Sequence, residues 1–279
     1  MVEPILNTEH KQAALDYLGV MQAAPSVGYI DQLLTAYTQK VAWESASRIV
    51  RRANTEATED CPRWPDEFWQ TAIRLGTGGT CFESNLAFFA LLRSLDFEGY
   101  LTINNMGEQI GCHTAIVIRQ DKQKWLVDVG LPIYAALPLD DTKPSNRETA
   151  LLNYRTVPIG DHRFEIERSP HPRLNAFTLI DRPIDAVPYR EATTRDYGAG
   201  GLFLDKVVIN KVVDGQAWRF NSSENPLHLE QFVDGVRVDH VLEGDMDAVG
   251  AVVGARFGIA PAIVQEALKV VTEQSSEGV

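Results

Sequence analysis

The sequence has few cysteines, no long apolar run and no excess of basic residues. Its three cysteines, Cys61, Cys81 and Cys112, are sparse and odd in number, which argues against a disulfide framework and favours a reducing, cytoplasmic compartment. No apolar segment approaches the ~20 residues that span a bilayer, and the N-terminus lacks the pattern of a secretory signal. Acidic residues outnumber basic ones, 38 to 26, for a net charge of −12, so nucleic acid is not an expected partner.

The 279 residues can form one large domain or two to three small ones. Up to residue 98 the apolar spacing is mostly helical, and from residue 99 β-branched and aromatic runs predict strands. The predicted helices cover 31–52, 66–74, 82–94 and 261–272, and the predicted strands cover 100–103, 114–119, 124–129, 176–180, 207–213 and 218–220, with a turn-rich stretch at 135–165. Helices followed by strands and a mixed tail indicate an α+β fold.

Cys81 is the first candidate for chemistry, because it follows the glycine-rich turn 76–80 and opens the predicted helix. The free N–H groups and the positive dipole end of a helix N-terminus stabilise a thiolate, and they can also hold an oxyanion during acyl transfer. Gly78 and Gly79 would let a substrate approach the sulfur closely. The alternative is a buried and inert cysteine.

His113 and Asp128 lie on two predicted strands joined near Gln120–Gln123. With a connecting loop of two or four residues, Ala115 faces Asp128, and His113 becomes a same-face diagonal neighbour of Asp128 at about 7–8 Å between backbones. A loop of three residues would place the two side chains on opposite faces. In the first case the order Cys81, His113, Asp128 predicts a triad in which the base activates the thiol and the acid orients the base.

The residues around this triad resemble the motifs of the arylamine N-acetyltransferase family. The family carries an Arg-Gly-Gly-x-Cys-x-Glu-x-Asn motif, a His before a strand, Val-Asp-Val-Gly after it, an upstream Val-Pro-Phe-Glu-Asn and a closing Phe-Gly-Ile. The corresponding segments here are TGGTCFESN at 77–85, HTA at 113–115, LVDVG at 126–130, VAWES at 41–45 and RFGI at 256–259. The resemblance covers nearly the whole chain.

The resemblance implies a cysteine-protease- or transglutaminase-like catalytic core within three regions. These are a helical bundle at 1–98 carrying the nucleophile, a β-barrel at 99–205 carrying His and Asp, and an α/β lid at 206–279.

The resemblance also implies ping-pong acetyl transfer from acetyl-CoA, as co-substrate, to an arylamine or hydrazine of xenobiotic metabolism. No tightly bound cofactor, metal or membrane partner is expected, and the protein is expected to be a monomer or homodimer. Gly130 and Thr80 are the predicted contacts for the co-substrate. A zinc site from Cys81, Cys112 and His113 is disfavoured because it lacks paired ligand spacing.

The chain departs from the family pattern at several positions. Thr77 replaces the Arg before the two glycines, so Glu44 would need another cation, and Arg74 is a candidate. The interval between Cys81 and His113 is short for the family, and Leu131 stands where many members have an aromatic residue or glycine. These departures leave two alternatives: an amide-forming acyltransferase with another acyl donor, and a weakly active or non-catalytic member. A hydrolase of the transglutaminase or cysteine-peptidase kind shares the triad order, but the closing Phe-Gly-Ile and the VAWES segment argue against it.

Overall fold

The computed structural model describes residues 4–233 and 235–277. Its helices are α1 Thr8–Leu18, α2 Val27–Lys40, α3 Ala46–Ala53, α4 Pro65–Leu75, α5 Cys81–Ser94, α6 Ala186–Arg195, α7 Met246–Phe257 and α8 Pro261–Glu277, with a 3-10 turn at Thr58–Asp60. Its strands are β1 Trp43–Glu44, β2 Glu98–Met106, β3 Gln109–Gln120, β4 Gln123–Val127, β5 Leu137–Leu139, β6 Ser145–Glu148, β7 Asn153–Gly160, β8 Arg163–Ser169, β9 Asn175–Ile180, β10 Val208–Val213, β11 Gln216–Asn221, β12 His228–Val233 and β13 Val236–Val241. The predicted α+β class is confirmed.

The chain forms two compact units that interleave along the sequence. The first comprises residues 1–38, 64–69 and 81–189, and the second comprises residues 39–63, 70–80 and 190–279. The three-region division at 98 and 205 stays a prediction. Among the residues that the structure describes, no helix has the length and apolar character needed to cross a membrane.

The first unit contains an antiparallel sheet of eight strands in the order β5-β4-β3-β2-β9-β8-β7-β6. The end of this order curls back, since β5 lies close to β6 and β7 and the Thr156 hydroxyl donates to the Pro138 carbonyl oxygen at 2.7 Å. The sheet is therefore barrel-like. Its enclosed face is apolar and includes Tyr154, Phe164, Ile166 and Phe177.

Helix α5 is buried from Cys81 to Leu92. A helix that is apolar on all sides belongs in a core rather than at a surface. The Trp69 indole donates to the carbonyl oxygen of Ala87 in this helix at 3.0 Å. Burial of α5 fixes the position of Cys81, its first residue.

The second unit packs α3, α7 and α8 on a five-stranded sheet of order β1-β10-β11-β12-β13. Its core joins Ala46 and Ile49 of α3 to Phe220 of β11, Phe257 of α7 and Leu268 of α8. This core therefore depends on residues that are far apart in the sequence.

Two local predictions were wrong. The continuous helix predicted over 31–52 is interrupted at β1, because Trp43 and Glu44 pair with Asn210 and Ile209 of β10 instead of continuing the helix. The turn-rich stretch at 135–165 contains β5, β6 and β7 and the start of β8. These strands are stabilised by neighbours distant in sequence, a contribution that local spacing does not carry.

Candidate active site

The structure brings the predicted Cys81, His113 and Asp128 together in the first unit. His113 Nε2 lies 2.7 Å from Asp128 Oδ2, and interaction with the Cys81 side chain helps to raise the pKa of the same imidazole. The Cys81 thiol donates to the Cys112 carbonyl oxygen at 3.6 Å. All three residues are buried, with Cys81 the most accessible at 9%.

The register of the β3–β4 hairpin brings His113 and Asp128 together. Ile116 pairs with Val127, and Gln120 pairs with Gln123, across a two-residue loop. This is the register that the sequence required for His113 and Asp128 to share a face. Asp121 and Lys122 both have positive φ, 53° and 62°, which is the backbone of a tight hairpin turn.

Asp128 is held by a ring of donors. Its Oδ1 accepts hydrogen bonds from Asn85 Nδ2 at 3.0 Å, from the Gly130 amide at 2.8 Å and from the Leu131 amide at 3.0 Å. Its Oδ2 is thereby left for His113. A buried carboxylate with this many donors holds one orientation.

Asn85 is a positioning residue that the sequence analysis missed. Its Nδ2 also donates to the Thr114 carbonyl oxygen at 2.7 Å, and its Oδ1 accepts from the Val129 amide at 3.0 Å. It lies one helical turn beyond Cys81, on the same face of α5. This spacing could have identified Asn85 from the sequence, because a polar side chain one turn beyond Cys81 lies on the same side of the helix as the nucleophile.

The charge balance around His113 favours an imidazolium. Burial opposes the charge on the ring, but the negative charge of Asp128, its hydrogen bond and the Cys81 sulfur outweigh burial and raise the pKa of His113 to about 10. A ring that keeps its proton at neutral pH can serve as a general acid. The Phe177 ring contacts the imidazole with centroids 4.6 Å apart and closes one side of the site.

Gly130 is required by packing against the nucleophile. A Cβ on Gly130 would lie 2.5 Å from Cys81 Cα, Cys81 Cβ and Asn85 Nδ2. The predicted contact of Gly130 with the co-substrate stays a prediction, as does that of Thr80. The Thr80 hydroxyl accepts from the buried Arg48 guanidinium at 2.6 Å.

The glycine-rich loop at 76–80 lies in the second unit, where Gly78 packs directly on the backbone. A Cβ on Gly78 would lie 1.7 Å from the Ala42 carbonyl oxygen. Close backbone packing therefore explains this glycine, rather than the predicted approach of a substrate. The Gly78 amide donates to Glu44 Oε1 at 3.0 Å.

The expected cation partner for Glu44 was wrong. The Glu44 carboxylate is fully buried and accepts from the Ser47 amide at 2.8 Å, from the Ser47 hydroxyl and from Gly78. Arg74 is exposed and forms no ion pair with Glu44. A second buried guanidinium at this loop, that of Arg63, donates to the Gly78 carbonyl oxygen at 2.7 Å and lies 3.5 Å from the Thr77 hydroxyl.

Glu44 and Arg63 thus hold Gly78 by its amide and its carbonyl oxygen. No sequence pattern pointed to Arg63, since it follows a Cys-Pro break and lies 14 positions before Thr77. Among the described residues, no cluster of three or more His, Cys, Asp and Glu side chains could hold a metal ion.

Comparison with known proteins places this site in a family. A family model described as N-acetyltransferase matches residues 27–212. The structure is similar to the arylamine N-acetyltransferase of Mycobacterium marinum in complex with CoA, at a TM-score of 0.77 and 19% identity over 92% of this chain and 96% of that one.

The structure is also similar to the arylamine N-acetyltransferase of Salmonella typhimurium, with a TM-score of 0.78 and 15% identity over 95% and 99% of the two chains. A third similar structure is the NAT3 enzyme of Bacillus cereus, described as having a Cys-His-Glu triad, with a TM-score of 0.71 and 17% identity over 91% and 100%. No curated protein sequence matches significantly. The family model covers most of the chain, and the chain therefore belongs to the arylamine N-acetyltransferase family of acyltransferases.

Proposed function

We propose that this protein transfers an acetyl group from acetyl-CoA to an arylamine or hydrazine through an acyl-enzyme on Cys81. The buried contact of His113 with both Asp128 and Cys81 is the observation that carries the proposal. The M. marinum relative was solved with CoA, which supports acetyl-CoA as donor. The B. cereus relative also pairs its histidine with a carboxylate, the chemistry that Asp128 supplies here.

In the first half-reaction the Cys81 thiolate attacks the thioester carbonyl carbon. Amides at the start of α5 stabilise the oxyanion, the C–S bond to CoA breaks, and His113 gives its proton to the departing CoA sulfur. In the second half-reaction the amine nitrogen attacks the acyl carbon while His113 accepts a proton from that nitrogen. The C–S bond to Cys81 then breaks, which regenerates the thiolate–imidazolium pair and releases the amide.

Gly130 and Thr80 remain our proposed neighbours of the acyl donor. The contact of Gly130 with the Cys81 backbone supports a position beside the thioester. Its amide is already bound to Asp128, so its contribution would be the absence of a side chain or its carbonyl oxygen. The Thr80 hydroxyl accepts from Arg48 and keeps its own hydrogen for donation.

Intact-protein mass spectrometry with acetyl-CoA tests the proposal. Wild type should gain one acetyl group, which an added arylamine removes as the acetylated amine forms. Cys81→Ala should not be acylated. Cys112→Ala is the matched control, because Cys112 forms no disulfide and is partly exposed, and its replacement should leave acylation intact. Acylation by other acyl-CoA donors but not by acetyl-CoA would instead support the alternative donor, and an unmodified Cys81 with every donor would reject the acyl-enzyme.

A further inference from the structure

Strand β13, Val236–Val241, forms one edge of the five-stranded sheet in the second unit. It pairs with β12 on one side, and no other strand in the described part of the chain pairs with it. All six of its residues are exposed, and the valines at 236, 238 and 241 are exposed to 63%, 42% and 60%. Such an edge offers a row of backbone N–H and C=O groups to a further strand.

The pairing of β12 with β13 decides which backbone groups face outward. The Leu242 amide donates to the Leu227 carbonyl oxygen at 2.9 Å, in the same register that pairs the two strands. Residues that bond to a neighbouring strand alternate along an antiparallel ladder, so the even-numbered residues of β13 bond to β12. The N–H and C=O groups of Arg237, Asp239 and Val241 therefore point away from the sheet.

The side chains of β13 divide between the two faces of the sheet. His240 is paired with Leu229, which belongs to the apolar core of the second unit, so His240 and Val238 lie on the core face. Arg237 and Asp239 lie on the opposite face, where Arg237 Nε donates to Asp239 Oδ1 at 2.6 Å. The edge thus carries a cation and an anion on one face, with a valine between them on the other.

Two copies of this edge can pair in an antiparallel manner only where outward-facing groups meet, which limits the two-fold axis to a few positions. An axis at Arg237 or at Asp239 places two like charges directly opposite, which is destabilising. An axis at His240 places Asp239 opposite Val241 and leaves the charges unmatched. An axis at Val238 places each Arg237 opposite the Asp239 of the other copy. In that register both Arg–Asp pairs also exchange their backbone hydrogen bonds.

We propose that this protein forms a homodimer by antiparallel pairing of two β13 strands about a two-fold axis at Val238, which joins the two sheets into one. A two-fold interface requires a surface that is complementary to itself, and the order Arg237-Val238-Asp239 has this property. The charges fix the register more than they add affinity. A strand of six residues makes a small interface, so we expect a Kd in the micromolar range or weaker.

Disulfide cross-linking tests the register. At the axis, opposite residues form a pair without backbone hydrogen bonds, with Cα atoms about 4.5 Å apart, which is within the range of a disulfide. Val238→Cys should therefore give a covalent dimer under mild oxidation, in a Cys112→Ala background that removes the partly exposed native cysteine. Val236→Cys is the matched control, because it is exposed on the same face but lies about 13 Å from its own copy. It should stay monomeric on non-reducing electrophoresis.

Sedimentation velocity tests the charges from about 1 to 100 μM, a range that brackets a micromolar Kd. Wild type should show a dimer that grows with concentration. Asp239→Lys places a cation opposite Arg237 and should raise the Kd by about tenfold or more. Glu108→Lys is the matched control, because it makes the same charge change at an exposed position of the first unit and should dimerise as wild type does.

A mixture of complementary variants gives the sharpest result. Arg237→Glu places two anions opposite each other and should also prevent self-association, but an equimolar mixture with Asp239→Lys should dimerise, because each copy then supplies the charges that the other needs. Arg237 also lies 3.4 Å from the buried Glu230, so circular dichroism checks that Arg237→Glu is folded. If it is not, Asp239→Lys and the cysteine pair decide the question.

Three results would overturn the inference. The first is a wild type that sediments as a monomer at every concentration, including one whose β13 pairs with an extended segment of another protein instead. The second is dimerisation of Asp239→Lys with the affinity of wild type. The third is cross-linking of Val236→Cys as efficient as that of Val238→Cys, which would reject the axis at Val238.

Discussion

At the scale of single residues, the orientation of Asp128 depends on Asn85. Replacing Asn85 with Ala removes four hydrogen bonds and leaves the carboxylate free to turn from His113. We expect Asn85→Ala to lower kcat/KM by about 10–100-fold and the free energy of unfolding by about 1–3 kcal/mol. Ser84→Ala is the matched control, because Ser84 is buried on the same helix and its hydroxyl has no hydrogen-bond partner. Equal losses in the two variants would contradict the role of Asn85.

The pKa of His113 gives a pH dependence of stability. The unfolded chain loses the proton of this imidazole near pH 6.5, whereas the folded protein keeps it to about pH 10. The stabilisation is therefore complete below pH 6.5 and is lost as the pH rises toward 10. The free energy of unfolding, measured with urea, should decline as the pH rises from 6.5 toward 10. The decline should be smaller in His113→Gln. Parallel pH profiles for the two proteins would refute the shift.

Arg63 supports the loop that leads into Cys81. Removing its guanidinium leaves the buried Gly78 carbonyl oxygen without its donor, at a cost of about 1–3 kcal/mol. Arg63→Ala should therefore lower both the free energy of unfolding and the rate of acylation, as measured by CoA release. Arg74→Ala, at an exposed position, should change stability by no more than about 0.5 kcal/mol. An Arg63→Ala variant that is acylated as fast as wild type would contradict this supporting role.

At the scale of elements, the sequence predicted those whose local pattern agrees with their tertiary surroundings. The helix over 82–94 follows from apolar spacing alone. The sequence left the hairpin register open between an even and an odd loop length, and the structure shows the two-residue loop. The interruption at β1 does not follow from the local pattern, since Trp43 and Glu44 continue a helical pattern and are drawn into a strand by β10. Likewise β9 brings Phe177 to His113 through pairings that only the folded chain contains.

The β3–β4 turn sets the register on which the site depends, and its backbone is strained for side chains. Lys122 has a positive φ of 62°, a conformation that costs a non-glycine residue roughly 1–2 kcal/mol. Lys122→Gly should relieve part of this cost and raise the urea midpoint. Lys122→Val should lower the midpoint, since a β-branched residue fits the conformation least. Identical midpoints in the two variants would exclude the turn as a determinant of stability.

At the scale of the whole molecule, the two-unit organisation and the predicted three-region division make different predictions for a chain ended at residue 205. If residues 206–279 form a separate lid, the shortened chain keeps a folded core. The second unit indicates the opposite, because its core joins Ala42, Ala46 and Ile49 to side chains between 207 and 271. The truncation would expose all three.

The C-terminal segment also supports the glycine-rich loop. The Ala260 amide donates to the Leu75 carbonyl oxygen at 2.8 Å, and a Cβ on Gly76 would lie 1.8 Å from the Gly258 carbonyl oxygen. We therefore expect the 1–205 chain to unfold at a lower urea midpoint than the full chain and to leave Cys81 unacylated by acetyl-CoA. A chain ended at residue 272 keeps the core residues up to Val271 and should behave as the full chain does. An unchanged midpoint and unchanged acylation in the 1–205 chain would favour the separate lid, because residues 42–49 would then be sufficient without their C-terminal partners.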